Sequence, residues 1–228
     1  MRVMRYLRWL SLPLWVAGLY LALIWVPDER SLGVSYRIFY IHLGMAWTAL
    51  LALTANFVLS LIVLARRRAT GDVDRFAQAT AEIGILMTTA TLASGMLWAR
   101  VAWGAFWTWD PRLTTTAIMW FLYVGYLLLR QAIDDERRRR VYSAVYALII
   151  FADVPIVYLS VRWWRSIHPV VFTDTGMNIT SQMFVAVIVF FFATLVLALD
   201  LIYLRAFQEK LQHALRAQRA RRLGRLGY

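Results

Sequence analysis

Six apolar runs, each able to reach across a lipid hydrocarbon core, constrain this chain more than any other feature. They are Trp9–Val26, Ile38–Ala65, Phe76–Ala99, Leu113–Leu129, Val141–Val161 and Ile179–Leu204. A core about 30 Å thick needs roughly 17–25 helical residues, and longer runs tilt or protrude. A lone strand cannot satisfy its backbone in lipid, and the runs lack the alternation of a barrel. The expected architecture is all-α: a polytopic bundle of six transmembrane helices, read as one membrane domain over 1–228. Composition agrees. Hydrophobic residues make up 61% of 228, against about 45–50% in ordinary soluble domains, which argues against both a water-soluble fold and disorder.

The first run follows basic residues, as in a signal peptide. It is long, however, and Pro27-Asp28-Glu29-Arg30 comes next in place of a small-residue cleavage site, so it reads as a retained span. Net charge is +12, and its distribution gives an orientation. Nineteen of the 25 basic residues fall on one side: Arg2, Arg5, Arg8, Arg66–Arg68, Arg75, Arg130, Arg137–Arg140, Arg205, Lys210, Arg216, Arg219, Arg221, Arg222 and Arg225. Six fall on the other: Arg30, Arg37, Arg100, Arg112, Arg162 and Arg165. The positive-inside rule then places both termini in the cytoplasm. The charge reads as a topology signal with attraction to anionic lipid heads, not as a nucleic-acid footprint. The tail from 205 to 228 is expected to be a basic helical extension.

Cysteine is absent, which excludes disulfides, thiolate metal sites and covalent C-x-x-C-H haem attachment; a phosphate-binding G-x-x-x-x-G-K-[ST] loop is also absent. Tryptophan is abundant and one-sided. Six of eleven lie in two outward stretches, 98–114 and 161–169, as Trp98, Trp103, Trp107, Trp109, Trp163 and Trp164. An interfacial belt would place Trp at both surfaces, whereas Trp9 is the one inner candidate. Two histidines share the outward side. His42 lies near the end of the second span, and His168 lies in the second Trp-rich stretch. His213 falls in the tail and reads as solvated.

A single histidine at a membrane edge is more often structural than a ligand. Two on one side, flanking an aromatic loop, fit a bis-His haem best, since haem iron takes two axial imidazoles and a porphyrin is a flat π-system suited to indoles. Zinc would want a third or fourth ligand at tight spacing. Haem propionates would want arginine; Arg100, Arg112, Arg162 and Arg165 all lie on the outward side, with Arg100 and Arg112 the favoured candidates. Asp110 either orients an indole N–H or caps the fourth span. In the third span, Thr88, Thr89, Thr91, Ser94 and Gly95 read as close-packing positions. Asp153 and Glu82 are charged groups within spans, and Pro155 is expected to kink the fifth span and leave a carbonyl unpaired.

The stretch Trp103-Gly-Ala-Phe-Trp-Thr-Trp-Asp-Pro-Arg-Leu-Thr114 resembles the tryptophan-rich WWD signature, W-G-x-[WF]-W-x-W-D-x-R-L-T, of haem-handling membrane proteins. Pro155-Ile156, Ser160-Val161, Trp163-Trp164 and His168 resemble the segment before the last span in the heme exporter protein C (CcmC) family of the cytochrome c maturation system. Phe106 stands where Trp is common and Pro111 where a small residue is usual. The resemblance implies a haem transport and delivery component, not an enzyme, in the bacterial cytoplasmic (inner) membrane with its site on the periplasmic side. It implies that haem b is carried between His42 and His168 as axial ligands. It implies that Trp103, Trp107, Trp109 and Asp110 form the haem platform and the chaperone-facing surface, with Trp163 and Trp164 also among the haem-binding residues. It further implies delivery to the haem chaperone CcmE and assembly with the other CcmABCD subunits: an ATPase, a second polytopic subunit and a small single-span subunit. Other readings of the residues are a cytochrome b-like electron carrier, a protein-docking scaffold without haem, and a lipid-handling transporter. The last gives no reason for paired histidines.

Overall fold

A computed structural model describes residues 2–66, 71–170, 172–173, 176–177 and 179–225. Arg67 and Arg68 lie outside the described residues, as do the side chains of Arg2, Arg5, Arg216, Arg221, Arg222 and Arg225. The chain forms α1 (Arg2–Tyr20), which ends in a π turn over Leu21–Trp25, then a short 3₁₀ turn, Val34–Tyr36. There follow α2 (Arg37–Ala65), α3 (Gly71–Trp103), α4 (Pro111–Ala132), α5 (Glu136–Ile150), α6 (Asp153–Trp163), a two-residue hairpin of β1 (Phe172–Thr173) and β2 (Gly176–Met177), and α7 (Ser181–Arg225). Six helical stretches are long and apolar enough to cross a membrane, α5 and α6 together making the fifth. The six expected spans are all present.

Their ends differ from the sequence reading for identifiable reasons. The third span runs on to Trp103 because no breaker precedes Gly104, whose φ of +76° closes the helix in the left-handed region that glycine tolerates. The fourth starts at Pro111, with Asp110 as its cap. The connection between them is therefore far shorter than 98–114. The first helix stops at Val26, held extended (ψ 129°) by the following Pro27. The sixth continues without interruption to Arg225, a helix of 45 residues and roughly 68 Å at 1.5 Å per residue.

The fifth span is broken, and at a different place from the expected kink. Pro155 supplies no N–H, and its ring would meet the carbonyl four residues back. The break accordingly falls at Phe151–Ala152. The Phe151 carbonyl is not left unpaired: it accepts from the Val154 N–H at 3.0 Å.

Small residues set the helix crossings, as expected where lipid gives helices no hydrophobic reason to associate. A Cβ at Gly44 would stand 2.8 Å from Phe190 Cδ1 and 3.1 Å from the Phe191 nitrogen, so glycine lets α2 lie on α7. One turn on, the Thr48 and Thr194 hydroxyls join the same pair at 2.7 Å. Charged groups gather at one end of the bundle in partnered form. Arg130 of α4 holds Asp74 of α3 through two bonds, 2.9 and 2.8 Å, and donates to Gln78 at 3.1 Å, all in a buried setting. Arg205 bonds Glu82 and, at 2.7 Å, Glu209, so the in-span Glu82 is paired. Arg8 reaches Asp200 at 3.2 Å. His213 stands half-buried 3.9 Å from Glu209, one helical turn away, where the sequence reading had it solvated.

Removing one member of a buried pair strands the other's charge. Arg130→Met is expected to lower stability by about 3–5 kcal/mol, while Arg130→Met with Asp74→Leu recovers most of that loss. Thermal unfolding of the detergent-solubilised protein measures both; equal losses in the single and double variants would contradict the pairing.

Candidate functional site

At the opposite end of the bundle, four helices converge on a cavity of about 230 Å³. Each contributes a stripe at helical spacing. From α2 come Phe39, His42, Leu43, Ala46, Trp47 and Leu50; from α3, Thr88, Thr91, Leu92, Gly95 and Met96. From α4 come Arg112, Leu113, Thr116 and Met119; from α6, Val154, Val157, Tyr158, Val161 and Arg162. The i, i+3, i+4, i+7 rhythm marks a single inward face on each helix. Trp98, Trp103, Trp107 and His168 complete the wall.

His42 is mounted on a helix and locked by its neighbour. Its Nδ1 meets the Thr91 carbonyl at 3.0 Å and the Ser94 hydroxyl at 3.1 Å, both on α3. A carbonyl only accepts, so Nδ1 carries the proton and Nε2 remains the nitrogen available to a ligand. Gly95 makes room for the ring, since a Cβ there would stand 2.9 Å from His42 Cε1.

His168 is mounted on a loop, and Asp110 holds that loop. One carboxylate oxygen of Asp110 accepts from the Arg112 N–H at 2.9 Å and caps α4. The other accepts from the Ser166 hydroxyl at 2.7 Å and the Ile167 N–H at 2.9 Å. Ser166 in turn accepts from the His168 N–H at 3.0 Å, and His168 Nδ1 lies 3.1 Å from the Pro169 carbonyl. Burial above all pushes the His168 imidazole down to about 4; the charges of Arg112 and His42 add to this, and the Pro169 carbonyl and Asp110 oppose it. Of the two roles foreseen for Asp110, the structure takes capping, and the second oxygen serves the histidine loop and no indole.

The remaining sequence candidates divide. Trp103 and Trp107 line the cavity, with Trp103 edge-on to His168 at 6.3 Å between ring centroids. Trp109 is 82% exposed and packs only its edge on Trp107; Trp163 and Trp164 are also exposed and stack edge-on with each other. Arg112 reaches the cavity and donates to the Tyr158 carbonyl at 3.0 Å, whereas its Nε is buried without a partner. Arg100 does not line the cavity: it bonds the Gly104 carbonyl and lies over Phe106. Arg162 takes its place at the wall, over Tyr158. The rhythm Val154, Val157, Tyr158, Val161, Arg162 was the signal for it, and the same rhythm turns Trp163 away.

The neutral state of His168 gives a pH test. Its folded-state value, about 4, lies below the ordinary 6.5, so the unfolded chain binds a proton first as pH falls. This contribution to stability is present above pH 6.5 and is lost on acidification towards 4. A His168→Gln protein is expected to show shallower acid destabilisation across that window in thermal unfolding; identical slopes would contradict the burial. Asp110→Ala removes a helix cap worth about 1 kcal/mol together with the loop's anchor, and is expected to speed hydrogen exchange at Ile167 and His168.

Comparison with known proteins adds the lineage. The family model described as Heme exporter protein C matches residues 1–221. Heme exporter protein C of Bradyrhizobium diazoefficiens is 35% identical over 167 residues, 73% of this chain and 62% of the relative. A ccmC-like mitochondrial protein of cytochrome c biosynthesis from Marchantia polymorpha is 32% identical over 170 residues, 74% of this chain and 71% of its own length. Heme exporter protein C of Escherichia coli K12 is 33% identical over 142 residues, 62% and 57% respectively. The chain thus spans roughly six- to seven-tenths of the length of these curated relatives. With four-fifths or more of its length matched by one family model, the chain belongs to the heme exporter protein C (CcmC) family.

Proposed function

We propose that the protein handles haem for cytochrome c biogenesis, presenting it at the periplasmic face of the cytoplasmic membrane for transfer to the chaperone CcmE. The observation that carries this reading is the shared cavity of His42 and His168, two histidines 126 positions apart. The donor set suits the cargo: two imidazoles, each with Nδ1 already engaged, stand among Trp98, Trp103 and Trp107, with Arg112 and Arg162 on the same wall. Bound haem would take one axial nitrogen from each histidine, lie against the indoles and offer its propionates to the two guanidinium groups. Two imidazole ligands leave the iron no open position, which keeps haem a passenger.

The mounts of the two ligands differ, and this suits transfer. His42 is fixed between two helices. His168 depends on Asp110 and Ser166, so the loop can yield while α2 stays in place. Trp109, Trp163 and Trp164, exposed at the same end, supply an apolar docking face for CcmE. The remaining CcmABCD subunits would then pack elsewhere on the bundle. Basic residues outnumber those of the opposite side where Arg8, Arg130 and Arg205 lie, which supports a cytoplasmic setting for that end.

Protein purified without CcmE is expected to show a sharp Soret band with low-spin α and β bands. His42→Ala or His168→Ala should convert the spectrum to high-spin and cut haem retention. An unchanged spectrum in the double variant would overturn the ligand assignment. Colourless protein that still docks CcmE would favour the scaffold reading, and reduction by quinol would favour an electron carrier.

A further inference from the structure

One face of α2 is covered along half of the span and bare along the other half. Leu43, Ala46, Leu50 and Phe57 follow one another at intervals of three, four and seven residues, so they share that face. At Phe57 it meets the fifth span: Phe151, at the end of α5, stacks on the Phe57 ring with centroids 4.2 Å apart. The chain then breaks at Phe151–Ala152, and α6 takes a different course. It packs along α4, where the Arg112 guanidinium donates to the Tyr158 carbonyl at 3.0 Å, and makes at most slight contact with α2. Leu50, two turns from Phe57 on the histidine side, is accordingly 40% exposed although it also lines the cavity. Tyr158 of α6 has the same double character, lining the cavity while 55% exposed.

The four helices around the cavity thus make three packed seams and leave one open. α2 lies on α3, where His42 meets the Thr91 carbonyl. α3 lies on α4, where the Trp120 indole donates to the Thr89 hydroxyl at 2.8 Å. α4 lies on α6. The fourth side, between α2 and α6, faces lipid. Its walls are apolar: Leu43, Ala46 and Leu50 on one helix, Val154, Val157 and Val161 on the other. Arg112 and Arg162 line the same cavity towards the outer end of the helices. A slot that is apolar along its length and cationic at the membrane surface matches a flat amphiphile with an apolar ring and anionic carboxylates. Lying in the leaflet with its carboxylates among the headgroups, such a molecule enters edge-on without its ring crossing water.

We propose that the α2–α6 seam is a side portal through which haem passes between the leaflet on the histidine side and the cavity. Leu50 and Tyr158 flank the portal, and the Phe57–Phe151 stack is its sill. The identity of the cargo rests on the haem-handling reading; the opening to lipid does not.

The chain contains no cysteine, so single introduced cysteines report on chosen positions. In lipid nanodiscs, a bimane on Val157→Cys, within the cavity wall, is expected to be quenched by phosphatidylcholine brominated on its acyl chains, as is one on Leu50→Cys. Emission from the Val157 position that brominated lipid leaves unchanged would overturn the opening. For the cargo, haemin is added to proteoliposomes and the rise of the Soret band is followed in time. Leu50→Trp is expected to slow that rise several-fold, whereas Leu51→Trp, at an exposed neighbour outside the cavity wall, keeps the wild-type rate. A wild-type rate in Leu50→Trp, or equal slowing in both variants, would overturn passage through this seam. A quenched Val157 label in a wild-type background that never develops a Soret band would count against the haem reading and leave the opening to lipid standing.

Discussion

A charged side chain inside a lipid bilayer persists only where it has a partner or reaches an aqueous edge. That constraint shapes this bundle from end to end. Asp74, Glu82 and Asp200 are each joined to an arginine from another helix, and all of these pairs lie at one end. They tie α3 to α4, α3 to α7 and α1 to α7 where basic residues are densest. Among the described residues the opposite end holds one ion pair, Arg37 with Asp28 at 2.9 Å, between neighbouring stretches of chain. Helices held together at one end by ion pairs leave the other end free to be shaped by side-chain size. There the stripes of α2, α3, α4 and α6 face inward around open space. The site lies where the structure is not cross-linked by charge.

Asp110, at that end, shows what one carboxylate can organise. The residue is buried, and its two oxygens hold different things: a helix start and a loop. Because Pro111 gives up no donor at the first helical position, the Arg112 N–H is the first of α4 that the cap satisfies. The oxygen left over reaches the segment before His168. The position of the second histidine is therefore referred to the axis of α4, and through Arg112 to the Tyr158 carbonyl of α6. His42 takes its reference from α3. The imidazoles belong to two different frames, and relative motion of these frames changes the space between them without any helix having to unfold.

How much of this could be read in the sequence follows the same physics. Lipid demands long apolar helices, so all six spans stand out in hydropathy. Their ends do not, because Trp and Arg at an interface look alike in a helix and in a loop; only Gly104 and the Asp110-Pro111 pair mark the turn. The consequence of Pro155 was legible but was displaced by four residues, since proline acts on the carbonyl one turn before it. The paired histidines were legible as residue types on one side. Ser94, Gly95 and Ser166 were not legible as their supports, for each acts across helices, and no local pattern states which helix lies opposite. The tryptophans were over-read for a related reason. Composition counts indoles, but helical phase aims them, and the phase that turns Arg162 inward turns Trp163 outward.

Small residues carry the last part of the design. Gly95 is needed because the His42 ring lies close against α3, near enough to reach the Thr91 carbonyl. A larger residue would lift the ring from that carbonyl and release the constraint on its tautomer. The imidazole would then be free to present either nitrogen to the cavity. Gly44, two residues beyond His42, sits at the crossing of α2 with α7 and fixes the other side of the same helix. The His42 helix is thus flanked on both sides by positions without side chains, whereas His168 hangs from a hydrogen-bonded loop.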